Sequence, residues 1–178
     1  IRDGQEQTIE VQRRHIDIQH VTSQVLENNI GYIYISSFEG KVSEEFEKAY
    51  DDLVGKGITS LIVDVRNNGG GVVDECLAIA ELMTNKITMP IVLLVNEYSA
   101  SASEILAGIL KENADNATLI GNTTFGKGVI QTLYPLSDNS AIKITTDEYF
   151  TPNHNKINGI GVEPDIKVDD YTFDGTLD

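Results

Sequence analysis

The hydrophobic pattern predicts an α/β protein with a mainly parallel sheet, flanking helices and a β-rich C-terminal part. Short continuous apolar runs at Ile30–Ile35, Leu61–Val65, Ile91–Val95 and Ala117–Ile120 have the pattern of strands covered on both faces. The stretches between them carry apolar residues at three- and four-residue steps, the stripe of a helix packed on a sheet. After Gln131 the pattern changes to short runs broken by polar turn residues, as in a hairpin. Strand alternating with helix implies parallel pairing through right-handed crossovers.

Residues 1–18 read as extended chain at a domain edge: Gly4 signals a turn, and Ile9, Val11, His15, Ile16 and Ile18 are spaced through polar residues. After the Ile30–Ile35 strand, Ser43 is expected to open a helix with acids in its first turn. Phe46, Ala49, Tyr50, Leu53 and Val54 form its apolar stripe, and Gly55 and Gly57 supply the stop. The Leu61–Val65 strand runs into Arg66-Asn67-Asn68-Gly69-Gly70-Gly71, where Arg66 is expected to pair locally. A helix follows with Val72, Cys76, Ile79, Ala80 and Met83 on one face, then a short connection, Thr84 to Pro90. Asn96-Glu97-Tyr98 breaks the Ile91–Val95 strand, and Ala102, Ile105, Leu106, Ile109 and Leu110 mark the next helix. Thr132–Tyr134 and Ala141–Thr146 make a hairpin about Ser137-Asp138-Asn139, and Gly159 to Ile166 leads into a last strand.

Composition narrows the class. A chain of 178 residues, 40% apolar and 23% charged, is long enough for one domain with a real core. Its formal charge of −15 repels nucleic acid and anionic membranes, so no nucleic-acid partner is expected. A single cysteine, Cys76, excludes an internal disulfide and sits on an apolar-periodic stretch as a core residue. No run of about 18 apolar residues is present. The opening IRDGQEQTIE is no signal peptide, so the chain can be a trimmed piece of an exported protein.

The chemistry is concentrated between Ile91 and Gln131. Ser99, Ser101 and Ser103 stand at a strand-to-helix junction, which leaves unpaired N–H groups able to hold a developing negative charge. That geometry suits an acyl-transfer nucleophile. Ser101-Ala102-Ser103-Glu104 also matches the capping box, so helix capping is the plain alternative for these serines. Lys127, between Gly126 and Gly128 with no local carboxylate, shifts the balance toward catalysis. A serine hydroxyl needs a base, and a lysine base must be neutral, with a pKa of roughly 7 to 8 in place of about 10.4. Gly69 to Gly71 can be a tight turn or a source of backbone donors; its place at the carboxyl end of an adjacent strand favours donors. Gly121 to Gly128 narrowly misses a phosphate-binding loop: Gly128 has no hydroxyl for Mg²⁺, and strand, not helix, follows. His15, His20 and His154 have no recognisable catalytic or zinc-binding context, and no metal site is predicted.

NEYSASASEILAGIL, GNTTFGKGVIQ, LIVDVRNNGGG and GIGVEPD together resemble the carboxyl-terminal processing proteases, the tail-specific proteases of peptidase family S41, over about residues 9 to 168. The resemblance implies a crotonase/ClpP-like core and a serine endopeptidase that cleaves polypeptides near their C-termini, with no cofactor. It makes Ser101 the nucleophile, Lys127 its base and Gln131 the residue that orients the lysine. Ala102 and Gly69 or Gly70 would supply the oxyanion hole. The alternative is a catalytically silent peptide-binding or scaffold domain of the same fold. Residues 1–18 would be the exit segment of a missing PDZ domain, 19–168 the protease core and 169–178 an acidic tail. Implied partners are polypeptides with free C-termini, bound as an added strand, the PDZ domain of the full-length chain, and a second copy in a homodimer. The implied location is extracytoplasmic, periplasmic or at the cell surface, with a membrane anchor in the full-length protein. Family members usually carry a longer excursion between Met83 and Ile91; either this chain lacks it or the sequence omits it.

Overall fold

The computed structural model describes residues 4–6, 8, 10, 12, 16 and 18–168. Its elements are β1 (Val21–Leu26), β2 (Ile30–Ile35), α1 (Val42–Gly55), β3 (Ser60–Asp64), α2 (Val73–Asn85), β4 (Ile91–Val95), α3 (Ala102–Asn113), β5 (Ala117–Gly121), β6 (Val129–Pro135), β7 (Ala141–Glu148) and β8 (Ile166–Lys167). Most of the segment expected to leave a PDZ domain, and all of the tail 169–178, lie outside the described residues.

The apolar runs become a six-stranded sheet in the order β1-β2-β3-β4-β5-β8. β1 is antiparallel to β2, and every other neighbouring pair is parallel. The register aligns Ile33 with Val63, Val63 with Leu93, and Leu93 with Leu119. All four are 0% exposed, a single row of branched side chains across the centre of the sheet. Each such burial stabilises the fold by about 1.5–3 kcal/mol.

The helices bury the faces their spacing selects: Phe46 and Leu53 from α1, Cys76, Ile79 and Met83 from α2, Leu106, Ala107 and Leu110 from α3. Two details differ from the sequence reading. Helix α1 begins at Val42, and its N-cap residue, Lys41, makes no side-chain cap bond. The Ser43 N–H instead donates to Glu75 Oε2 of α2 at 2.8 Å, so a long-range carboxylate does the work expected of a local hydroxyl. Val54 and Val72 are 45% and 44% exposed, at the margins of their helical stripes. Arg66 pairs locally as expected, its Nε donating to the buried Asp64 Oδ1 at 2.8 Å.

Lys86 to Pro90 links α2 directly to β4, with Ile87 buried and the Ile87 and Met89 carbonyls accepting from Asn116 Nδ2 at 3.0 and 2.8 Å. No hairpin occupies this connection. β6 and β7 form a separate two-stranded antiparallel sheet. Their register pairs Leu133 with Lys143 and Gln131 with Thr145, which sets Gln131 and Lys143 on one face. Among the described residues no helix is long and apolar enough to cross a membrane.

Candidate active site

The loops that follow β3 and β4 are stitched together. Ala100 N–H and Ser103 Oγ both donate to the Asn68 carbonyl, at 3.0 and 2.9 Å. Asn67 N–H donates to Asn96 Oδ1 at 2.9 Å, and Asn96 Nδ2 returns a bond to Asn67 Oδ1 at 3.0 Å. Asn68 Nδ2 extends the seam to the Ile35 carbonyl of β2 at 2.9 Å. Two of the junction serines belong to this seam: Ser99 Oγ donates to the Val65 carbonyl at 2.8 Å, and both Ser99 and Ser103 are 0% exposed.

Ser101 differs from both. It is half-buried and has φ 57° and ψ −114°, a conformation that L residues rarely adopt. The glycine loop permits it. A Cβ on Gly70 would lie 2.8 Å from Ser101 Cβ and 2.9 Å from Ala102 N, so only glycine lets the loops approach this closely.

Glu104 joins this turn to the lysine turn. Its carboxylate is 0% exposed. Oε2 accepts from Ser101 N–H at 2.9 Å and from Lys127 N–H at 2.8 Å. Oε1 accepts from Gly126 N–H at 2.6 Å and from Thr124 Oγ1 at 2.7 Å. These bonds satisfy a charge that burial alone would make costly. The capping-box reading of Glu104 is therefore correct as far as it goes, and it omits the lysine turn. Lys127 does have a carboxylate beside it, but the contact is to its backbone. From the other side, the Tyr149 phenol donates to the Lys127 carbonyl and Tyr149 N–H to the Gly128 carbonyl at 2.9 Å. Gly159 N–H donates to the Gly126 carbonyl at 2.8 Å, so the GIGVEPD motif also braces this turn.

A pocket of about 210 Å³ brings together Gly71, Ser101, Lys127, Gln131, Lys143 and Tyr149. Among the described residues Lys127 Nζ makes no hydrogen bond or ion pair. Gln131 lines the same pocket, with Nε2 donating to Thr145 Oγ1 at 3.4 Å and not to the lysine. Burial pushes the Tyr149 phenol well above its ordinary range, the Glu104 charge adds to this, and hydrogen bonding with Ser101 partly offsets it.

The expected oxyanion donors are distributed differently. Ala102 is the first residue of α3, where an N–H has no intrahelical acceptor. Gly70 N–H is already engaged by Asn68 Oδ1 at 2.9 Å, and Gly69 is exposed. The glycine that lines the pocket with Ser101 is Gly71. Sequence reasoning also missed Tyr149 and Lys143, which reach the pocket through the hairpin register and not through any local motif.

A larger hollow of about 440 Å³ between α1 and α2 contains Ser43 and Lys86, but Lys86 is paired with Glu47 at 2.7 Å. Cys76 is fully buried and its Sγ donates to the Ala102 carbonyl at 3.0 Å; burial pushes the thiol up to about 12. Among the described residues no group of His, Cys, Asp and Glu is arranged to hold a metal ion.

The sequence profile of peptidase family S41 matches residues 29–89 and 83–168. The chain belongs to peptidase family S41. This S41 chain is similar to a carboxyl-terminal-processing protease of Synechocystis, at 38% identity over 79% of this chain and 38% of the relative. It is also similar to carboxy-terminal processing protease CtpB of Bacillus subtilis, at 40% identity over 84% of this chain and 36% of the relative. It therefore spans less than half the length of either. Among solved structures, the photosystem II D1 C-terminal processing protease superposes with a TM-score of 0.76 at 30% identity, covering 88% of this chain and 50% of that one. The tricorn protease gives 0.63 at 26% identity, covering 80% and 15%. The S41 chain has the crotonase/ClpP-like core of these neighbours.

Proposed function

We propose that this chain is the core of a serine endopeptidase that cleaves polypeptides near their carboxyl termini. One observation carries the reading: Ser101, alone among the junction serines in standing outside the buried seam, lines a pocket with Lys127, whose Nζ has no partner among the described residues. Ser101 Oγ attacks the scissile carbonyl while Lys127 Nζ, in its neutral form, takes the hydroxyl proton. The Ala102 N–H, with a second donor from the glycine loop, holds the oxyanion; losing one such donor typically costs about 3–4 kcal/mol of transition-state stabilisation. Collapse breaks the C–N bond, and Lys127 gives its proton to the leaving amine. Water then hydrolyses the Ser101 ester with the lysine again as base. Gln131, with its Oε1 accepting from the Lys127 ammonium, orients it.

The names of the similar proteins support carboxyl-terminal processing as the activity and polypeptides as the substrates. We propose further, from the motif resemblance alone, that the full-length protein carries a PDZ domain ahead of this core and works outside the cytoplasm as an anchored homodimer. The test is labelling with a fluorophosphonate, with the modified residue mapped by mass spectrometry. An adduct on Ser101 that is lost in Lys127→Ala supports the dyad; labelling that survives in Lys127→Ala removes the lysine from the base role. Peptide binding without turnover, unchanged in Ser101→Ala, would mark a silent binding domain instead.

A further inference from the structure

We infer that Lys143 forms a carboxylate subsite in the Ser101 pocket, its ammonium receiving an anionic group of the bound polypeptide close to the bond being cut. The inference rests on the protease reading above and adds a substrate chemistry to it.

The β6–β7 register carries Lys143 to this position. Leu133 pairs with Lys143 and Gln131 with Thr145, so Lys143 shares a face with Gln131, and both side chains line the pocket that contains Ser101 and Lys127. The pocket thus holds two lysines. They cannot have the same task, because a lysine that accepts the serine proton must be neutral and a neutral amine does not attract an anion. Electrostatic recognition falls to Lys143.

The absence of an acid from the pocket lining supports this. Four lysines elsewhere are matched with acids, Lys41 with Glu44 at 3.0 Å, Lys86 with Glu47 at 2.7 Å, Lys111 with Asp165 at 2.9 Å and Lys156 with Glu148 at 3.2 Å, while Lys48, Lys56 and Lys167 make no ion pair among the described residues. Neither Lys127 nor Lys143 has such a partner among the described residues. The chain has 28 acidic residues against 13 basic ones, yet no aspartate or glutamate lines this pocket. A locally positive pocket in a protein of formal charge −15 selects for an anion that reaches that spot, against a general field that repels it. The lysine is a flexible point charge, suited to a carboxylate presented in more than one orientation. A polypeptide supplies a carboxylate in two ways, at its C-terminus or on an aspartate or glutamate side chain.

The experiment compares kcat/KM for matched peptides: free acid against C-terminal amide, and internal Asp against Asn in the amidated series. It uses the unaltered chain, Lys143→Met and Lys143→Arg, with thermal melts run beside them. The unaltered chain is expected to favour the carboxylate-bearing peptide of at least one pair by about tenfold or more, the scale of a charge-assisted hydrogen bond. Lys143→Met brings that ratio to within about twofold, and Lys143→Arg restores most of it. Discrimination in the first pair identifies the terminal carboxylate; in the second, a side-chain carboxylate. A ratio that persists in Lys143→Met, or is absent from the unaltered chain, overturns the subsite. If no peptide is cleaved, the protease reading has failed separately. Anisotropy with the same labelled peptides and the Ser101→Ala protein then reads the subsite alone, and equal binding of acid and amide, and of Asp and Asn, overturns it.

Discussion

The backbone N–H groups of Ser101 and Lys127 donate to one and the same carboxylate oxygen, Glu104 Oε2, at 2.9 and 2.8 Å. Two turns from different parts of the chain are thereby held within two hydrogen-bond lengths of each other. Side-chain chemistry between Ser101 and Lys127 depends on that backbone spacing, because a displacement of about 1 Å in a catalytic group can cost about a hundredfold in rate. Glu104→Gln is expected to replace an acceptor with an amide N–H₂ that faces backbone donors. Stability should fall by about 2–4 kcal/mol, and Ser101 labelling should drop far more than the loss of folded protein explains. Labelling per folded molecule equal to that of the unaltered chain would show that the clasp is dispensable.

The conformation of Ser101 predicts a trade between stability and activity. At φ 57° and ψ −114° a side chain is strained, and glycine is not. Ser101→Gly is expected to be more stable than Ser101→Ala by about 1 kcal/mol, or about 2–4 °C in Tm for a domain of this size, while neither forms an adduct. Equal melting temperatures for the two variants would mean that the turn stores no strain.

Gly70→Ala tests the contact between the loops. Its Cβ would lie 2.8 Å from both the Ala100 carbonyl oxygen and Ser101 Cβ, at a backbone φ of +100°. The expected result is a loss of about 2–3 kcal/mol together with lost turnover, since the added methyl displaces Ser101 itself. Gly69→Ala, where a Cβ meets nothing within 4 Å, serves as the control for stability.

Tyr149→Phe removes the phenol that donates to the Lys127 carbonyl and leaves the ring in place. A fall in kcat/KM of about tenfold is expected, the scale of one hydrogen bond, against about 10² to 10⁴ for loss of the base in Lys127→Ala. Steady-state kinetics on one peptide with both variants checks the order, and a Tyr149→Phe protein as impaired as Lys127→Ala would require a direct chemical role for the phenol.

Acid stability should depend on Glu112. Burial pushes this carboxyl up, but donation from Thr151 Oγ1, Asn153 N–H and Asn155 Nδ2, with the nearby His154, outweighs burial and holds it below its ordinary value. A carboxylate depressed in the folded state adds stability that is fully present above its unfolded value of about 4.3 and is lost as pH falls through the folded value. Melting temperatures of the unaltered chain should therefore fall below about pH 4 more steeply than those of Glu112→Gln, and parallel curves would rule out this contribution.

Much of this arrangement can be read locally. The continuous runs at Ile30, Leu61 and Ile91 announce buried parallel strands because each apolar side chain is needed on a covered face, and the register confirms the pairing. β1 left no such signal: of Val21–Leu26 only Val21 is buried, so an edge strand with one wet face has no apolar run to show. Ser101 and Lys127 stood out by sequence because a serine turn and a glycine-flanked lysine are local patterns, and the tertiary structure lines one pocket with both.

By itself the sequence determined the alternation of strand and helix, the strand-to-helix turn that carries Ser101 and the glycines that allow a second loop to approach it. Only the tertiary structure decided that Glu104 serves two turns, that Gly71 lines the pocket while Gly70 is engaged by Asn68, and that Tyr149 and Lys143 line the pocket too. The reason is the range of the interactions. Periodicity and turn chemistry act over a few neighbouring residues, whereas the bonds from Glu104 and Tyr149 to Lys127 span 23 and 22 positions and exist only after sheet and hairpin registers have brought their ends together.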